Sequence, residues 1–130
     1  MALKDQISGI QHIGIPTANL RETIDFYKMF GFEQQGVFKN GNSTCVFLKL
    51  DTIIIETWTV NATSNITGAI NHISLDTPDA TQAMYEVRQQ GLTIVESEIQ
   101  IIPTFWEKGI RYFNVIGPNQ EIIELCEIIK

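Results

Sequence analysis

The chain of 130 residues contains two histidines, His12 and His72, and each lies in a copy of the same phrase. Ile7 to Ile15 reads ISGIQHIGI; Ile66 to Leu75 reads ITGAINHISL, with one residue inserted before the histidine. Each half also ends in an apolar run that carries a glutamate, Glu56 in IIIETW and Glu124 in EIIELC. A carboxylate set among isoleucine and leucine is costly unless it is paired or metal-bound. Two imidazoles and two carboxylates form a donor set suited to one divalent first-row metal, with positions left for water or substrate. Nickel, cobalt, zinc, manganese and iron all fit such a set. One histidine in a strand is more often a packed or edge residue than a ligand. Four groups at equivalent places in a duplication argue more strongly for a site.

The repeat extends beyond these residues. A step of 60 takes His12 to His72, Thr17 to Thr77 and Gly31 to Gly91, whereas Glu56 to Glu124 is 68 because the second half has a longer loop. A long unit occurring twice fits a duplicated domain better than a solenoid, which needs about three or more short repeats.

The elements that must position these groups follow from periodicity and turn chemistry. Gly9–Thr17 reads as a strand with His12 in its middle, ending at Pro16. Leu20, Ile24, Tyr27 and Phe30 recur at helical spacing, with Asn19 and Glu22 as a capping box and Gly31 as the stop. Phe32–Phe38 and Thr44–Leu50 flank a type I′ hairpin signal at Asn40-Gly41, and Thr52–Val60 is the next strand. The second half repeats this plan. Ala69–Asp76 is a strand, a helix starts near Thr77 and Pro78 and stops at Gly91, and Leu92–Ile99 is a strand. An irregular loop follows, and then Gly109–Ile116 and Glu121–Ile129 form a hairpin around Gly117-Pro118-Asn119-Gln120.

The total is an α+β fold of eight strands and two helices. It consists of two tandem β-α-β-β-β modules, about 7–60 and 68–130, joined by a linker at 61–67 in one duplicated domain. Alternate strand residues share a face, so Ile54, Glu56 and Trp58 point one way, as do Ile122, Glu124 and Cys126. If the two curled sheets face each other about a pseudo-two-fold axis, the four polar groups meet in an apolar trough.

Composition narrows the partners. A formal charge of −6, a pI near 4.8 and scattered Lys and Arg argue against nucleic acid. No apolar stretch approaches the roughly 20 residues of a membrane span, and the first residues lack a signal-peptide core, so a cytoplasmic location is expected. Cys45 and Cys126 are expected as packed, reduced thiols.

The motifs Gln11-His12-Ile13-Gly14-Ile15, Ile24-Asp25-Phe26-Tyr27 with Gly31-Phe32, Asn71-His72-Ile73, and Gly117-Pro118-Asn119-Gln120 leading to Ile123-Glu124-Leu125 carry a family resemblance. From about Ile10 to Glu127 the chain resembles the vicinal oxygen chelate superfamily of glyoxalases, bleomycin-resistance proteins and dioxygenases. The resemblance implies paired β-α-β-β-β modules and a metal held by His12, Glu56, His72 and Glu124, the order found in glyoxalase I. It further implies a lyase or isomerase in which the metal binds vicinal substrate oxygens and stabilises an enediolate. Glu56 and Glu124 are then the acid–base pair.

Several relatives fit less well. Glyoxalase I of bacteria has an arginine and an asparagine for glutathione where this chain has Pro16 and Val60, so glutathione dependence is not implied. Epimerases of acyl thioesters resemble the chain in scale but have glutamine at the place of Glu56, and a fourth ligand there would crowd the open positions a dioxygenase needs. Bleomycin binders lack the metal set, and fosfomycin-resistance enzymes bring a basic pocket that this acidic chain does not offer. A non-catalytic small-molecule binding protein of the same fold is the contrasting class. Trp58, Ser74, Phe105, Trp106 and Arg111 are the candidate pocket residues, for a small-molecule substrate in a homodimer.

Overall fold

A computed structural model describes residues 2–130, which form two compact units that divide between Thr63 and Ser64. A short 3₁₀ turn, Leu3–Gln6, precedes the first unit. The unit then runs β1 (Ile13–Thr17), α1 (Leu20–Met29), β2 (Glu33–Asn40), β3 (Ser43–Leu50) and β4 (Ile53–Thr59). Its sheet has the order β1-β4-β3-β2, with β1 parallel to β4 and the other pairs antiparallel. The second unit runs β5 (Ile73–Asp76), α2 (Ala80–Gln89), β6 (Thr93–Ile94), β7 (Gln100–Ile102), β8 (Ile110–Ile116) and β9 (Ile122–Ile128). The order there is β5-β9-β8-β6, with β7 also pairing β8 and with β5 parallel to β9. Each unit is thus a mixed, open sheet with one helix, and the two share one topology.

Alternation decides which face each helix covers. In β4 the buried residues are Ile55 and Thr57, and in β9 they are Ile123 and Leu125, so Glu56 and Glu124 stand on the opposite faces. The covered face of the first unit packs Tyr27 and Phe32 against Val46, Leu48 and Ile55, all at most 2% exposed. Tyr27 and Phe32 meet edge to face at 5.5 Å. In the second unit Phe113, Val115 and Ile123 form the covered face with Met84 and Ala80 of α2.

Asn19 caps α1, its side chain accepting from the Glu22 amide at 3.1 Å. The cap of α2 is Asp79, accepting from the Gln82 amide at 3.0 Å, and not Thr77. Glu127 anchors the same helix end by accepting from the Ala80 amide at 3.0 Å.

Three other local expectations are corrected. His12 and His72 lie just before their strands, because the ladders to β4 and β9 begin only at Ile13 and Ile73. The β2–β3 turn is centred on Gly41-Asn42, between paired Asn40 and Ser43, and only Gly41 has positive φ, which excludes the type I′ turn. The expected strand Leu92–Ile99 is broken: β6 is two residues long, a bend follows, and β7 starts at Gln100, giving nine strands among the described residues. The break is filled by Glu96, whose carboxylate accepts from both the backbone amide and the Nδ2 of Asn114 at 2.8 Å. A side chain there takes the place of a ladder partner.

Among the described residues one buried side-chain polar group is unmatched. The Thr57 hydroxyl has no hydrogen-bond partner, although Thr57 is fully buried between its neighbours Ile15 and Val46. The equivalent position in the second unit, 68 residues on, is Leu125. Thr57→Val should therefore raise the unfolding free energy by about 1–2 kcal/mol, since the isosteric methyl removes an uncompensated desolvation. A higher urea midpoint at unchanged slope is the expected readout, and a lower midpoint would show that the hydroxyl has a partner.

Candidate metal and substrate site

Each unit brings one histidine and one glutamate together. In the first, His12 Nε2 lies 3.3 Å from Glu56 Oε1; in the second, His72 Nε2 lies 3.8 Å from Glu124 Oε2. The parallel pairing positions both glutamates alike, with Gly14 opposite Glu56 and Ser74 opposite Glu124. Both carboxylates are largely sheltered, with side chains 24% and 15% exposed. Among the described residues no group of three or more His, Cys, Asp and Glu is placed to hold a metal ion, and each unit by itself supplies one such pair.

The residue before each histidine places a side-chain amide on the Nδ1 side of the ring. Gln11 Oε1 meets His12 Nδ1, and Asn71 Oδ1 meets His72 Nδ1 at 2.9 Å. With an amide oxygen accepting, Nδ1 carries the proton and Nε2 keeps its lone pair. That lone pair then faces a carboxylate oxygen, an arrangement of two acceptors that requires a cation or a proton between them. A divalent metal fits this donor chemistry, and an outer hydrogen bond on the far nitrogen is the usual support for a ligating imidazole. These amides, Gln11 and Asn71, were not among the candidate residues, yet the repeat shows the signal: both histidines follow a side-chain amide.

The two environments differ. Glu124 Oε1 accepts from Ser74 Oγ at 2.7 Å, which turns the other oxygen toward His72. At the place of Ser74 the first unit has Gly14, and a side chain there would start 3.1 Å from the Trp58 ring. Trp58 therefore lies over Gly14 on the Glu56 face. His12 packs edge to face on Phe47 at 5.6 Å. Cys45 and Cys126 are both free thiols. Burial, together with the Glu56 charge and a hydrogen bond to it, pushes the Cys45 thiol up; burial and the charges of Glu124, Asp76 and Glu127 raise Cys126.

A cleft of about 420 Å³ opens in the second unit beside Glu124 and His72. Its walls include Ile110, Ile122 and Phe105, with Tyr112 and Asn114 on the same face. Of the expected pocket residues, Phe105 lines this cleft. Trp106 does not line it; it is 72% exposed with φ of 55°. Arg111 alternates onto the helix-covered face and pairs with Glu127 at 3.0 Å, so its expected place in the pocket is corrected by strand parity.

Residues 9–111 match the family model of the Glyoxalase/Bleomycin resistance protein/Dioxygenase superfamily. No protein of curated function matches the chain significantly. Among solved structures, a glyoxalase family protein from Enterococcus faecalis is 19% identical over 94% of this chain and 99% of its own, with a TM-score of 0.80. The fosfomycin resistance protein FosX from Listeria monocytogenes, complexed with Mn(II) and sulfate, is 16% identical over 95% and 94%, at 0.73. A glyoxalase/bleomycin resistance protein/dioxygenase from Alicyclobacillus acidocaldarius is 14% identical over 94% and 92%, at 0.70. No helix among the described residues is long and apolar enough to cross a membrane. The matched family model covers most of the chain, and the paired mixed sheets agree with it: this protein belongs to the glyoxalase, bleomycin resistance and dioxygenase superfamily.

Proposed function

We propose that this chain is a divalent-metal-dependent lyase or isomerase of the glyoxalase I kind, moving a proton between adjacent carbons of a small carbonyl compound or hemithioacetal. His12, Glu56, His72 and Glu124 are the proposed ligands, in a cytoplasmic homodimer. The observation that carries the reading is the duplicated opposition of an imidazole lone pair to a carboxylate, with Nδ1 of each ring held by a side-chain amide. FosX, a structure of the same fold, is complexed with Mn(II), which supports a metal in this chain without identifying it.

When bound, the metal supplies Lewis acidity to the substrate oxygens and so lowers the cost of removing the neighbouring carbon-bound proton. The protein supplies the proton acceptor and donor. Glu56 and Glu124 are the sheltered carboxylates beside the pairs, and a positioned carboxylate contributes about 10²–10⁴-fold to such a transfer. Ser74 holds Glu124 in one orientation by donating to Oε1. Pro16 and Val60 stand where glutathione-binding side chains would be needed, so the thiol portion is not assigned to glutathione.

Two measurements test the reading. Titration calorimetry with nickel, cobalt and zinc should show binding to the wild type, weakened about 10–100-fold by Gln11→Leu or Asn71→Leu, because each removes the partner that orients a ligating ring. A reconstituted protein that binds no divalent ion would sink the metal site. Separately, solvent deuterium should enter α-hydroxy ketones or hemithioacetals with metal added, and Glu56→Gln or Glu124→Gln should slow this by about 100-fold or more. Binding without exchange for every candidate would identify a sequestering protein instead.

A further inference from the structure

The open face of the first sheet carries a sheltered cysteine. Cross-strand pairing sets Gly14, Glu56, Phe47 and Gly36 in one row over β1, β4, β3 and β2, and Pro16, Trp58, Cys45 and Phe38 in the next. The two rows share a face, because their members alternate along each strand. Glycine at both ends of the first row gives rings of the second room to lean over it. A Cβ on Gly14 would start 3.1 Å from the Trp58 ring, and one on Gly36 would start 2.6 Å from the Phe38 ring. Phe38 also meets Phe47 edge to face at 6.1 Å. Cys45 stands between Trp58 and Phe38 in its row and is 8% exposed, although it lies on the face opposite the helix.

That thiol has an acceptor within reach. Cys45 is one strand away from Glu56 and two residues along from Phe47, the cross-strand partner of Glu56. Side chains on one face meet at this diagonal spacing, and these two are hydrogen-bonded. A carboxylate only accepts, so the thiol donates. The second unit serves its glutamate from the opposite neighbouring strand, where Glu124 accepts from Ser74 of β5 at 2.7 Å. The position of Ser74 is Gly14 in the first unit, which has no side-chain donor to offer. The position of Cys45 is Tyr112 in the second unit, opposite Cys126 as Cys45 is opposite Trp58. A donor missing from β1 is thus matched by one on β3.

We propose that Cys45 is a positioning residue for Glu56: its thiol donates to the carboxylate and keeps it turned toward His12. Glu56 Oε1 lies 3.3 Å from His12 Nε2, and that contact alone leaves the group free to turn about its last bond, a torsion with weak intrinsic preference. A donor on β3 removes this freedom. The hydrogen bond stands on the sheet geometry, while its effect on metal binding and proton transfer rests on the glyoxalase-like reading above.

The test reads the thiol directly and then its effect. In reduced, metal-free Cys126→Ser protein, Cys45 carries the only thiol. Its infrared S–H stretch should lie below that of an unbonded thiol and should rise when Glu56→Gln is added, because a neutral amide is the weaker acceptor. Titration calorimetry with nickel on otherwise unaltered protein should give an affinity about tenfold lower in Cys45→Val, which fills the space without donating, and within about twofold of the wild type in Cys45→Ser, which keeps a donor. The saturating rate of solvent-deuterium exchange should follow the same order, with KM unchanged. Packing alone predicts the reverse order, since valine suits an apolar surrounding better than serine. An S–H band at the unbonded frequency, a band unmoved by Glu56→Gln, or nickel affinity kept in Cys45→Val and lost in Cys45→Ser would overturn the proposal. If the wild type binds no divalent ion, the metal reading fails, while a lowered band still upholds the hold of the thiol on Glu56. Nickel bound with an unlowered band refutes Cys45 alone.

Discussion

The structure depends on the two-residue period of its strands. One face of each sheet is sealed by a helix, and every second residue of β4 and β9 must enter that seal. Ile55 and Thr57, or Ile123 and Leu125, occupy it, which leaves Glu56 and Glu124 no position except the uncovered side. A shift of one residue in register would bury both carboxylates under the helices and expose the isoleucines. The burial that stabilises each unit and the placement of its uncovered glutamate are therefore fixed by the same pattern.

Duplication has kept this framework while letting the surroundings of each pair diverge. Side-chain amides precede both histidines, and both glutamates sit on the strand parallel to the one that follows the histidine. Around that shared frame, Ser74 ties down Glu124, whereas Gly14 yields its space to the indole of Trp58. One carboxylate is held by a hydroxyl, and the other is bordered by Phe47 and a buried thiol. Equivalent positions in the two halves have thus been given unequal surroundings.

Much of this was legible because the chain states its pattern twice. The helix of the first unit, its Asn19 cap and the face carrying Glu56 and Trp58 follow from local periodicity alone. Adding 60 to Asn19 gives Asp79, so the repeat itself pointed to the true cap of α2, while the Thr77-Pro78 signal pointed two residues too early. Arg111 was misplaced even though alternation with Asn114 and Tyr112 could have turned it away from the cleft. The break between β6 and β7 was not legible. It depends on Glu96 reaching two groups of Asn114, 18 residues away, a contact no local pattern encodes.

That break also shapes how the protein meets other chains. The outer side of β8 is paired by two strands of two and three residues, and between them a carboxylate occupies the amide that a visiting strand would seek. An interrupted, negatively charged border is a poor template for intermolecular sheet growth. β2, an eight-residue border strand of the first sheet, is protected differently, by a register shift between Gln34 and Gly36 that disrupts its ladder. Irregularity at these two edges thus guards sheets rich in isoleucine against adding strands from neighbouring molecules.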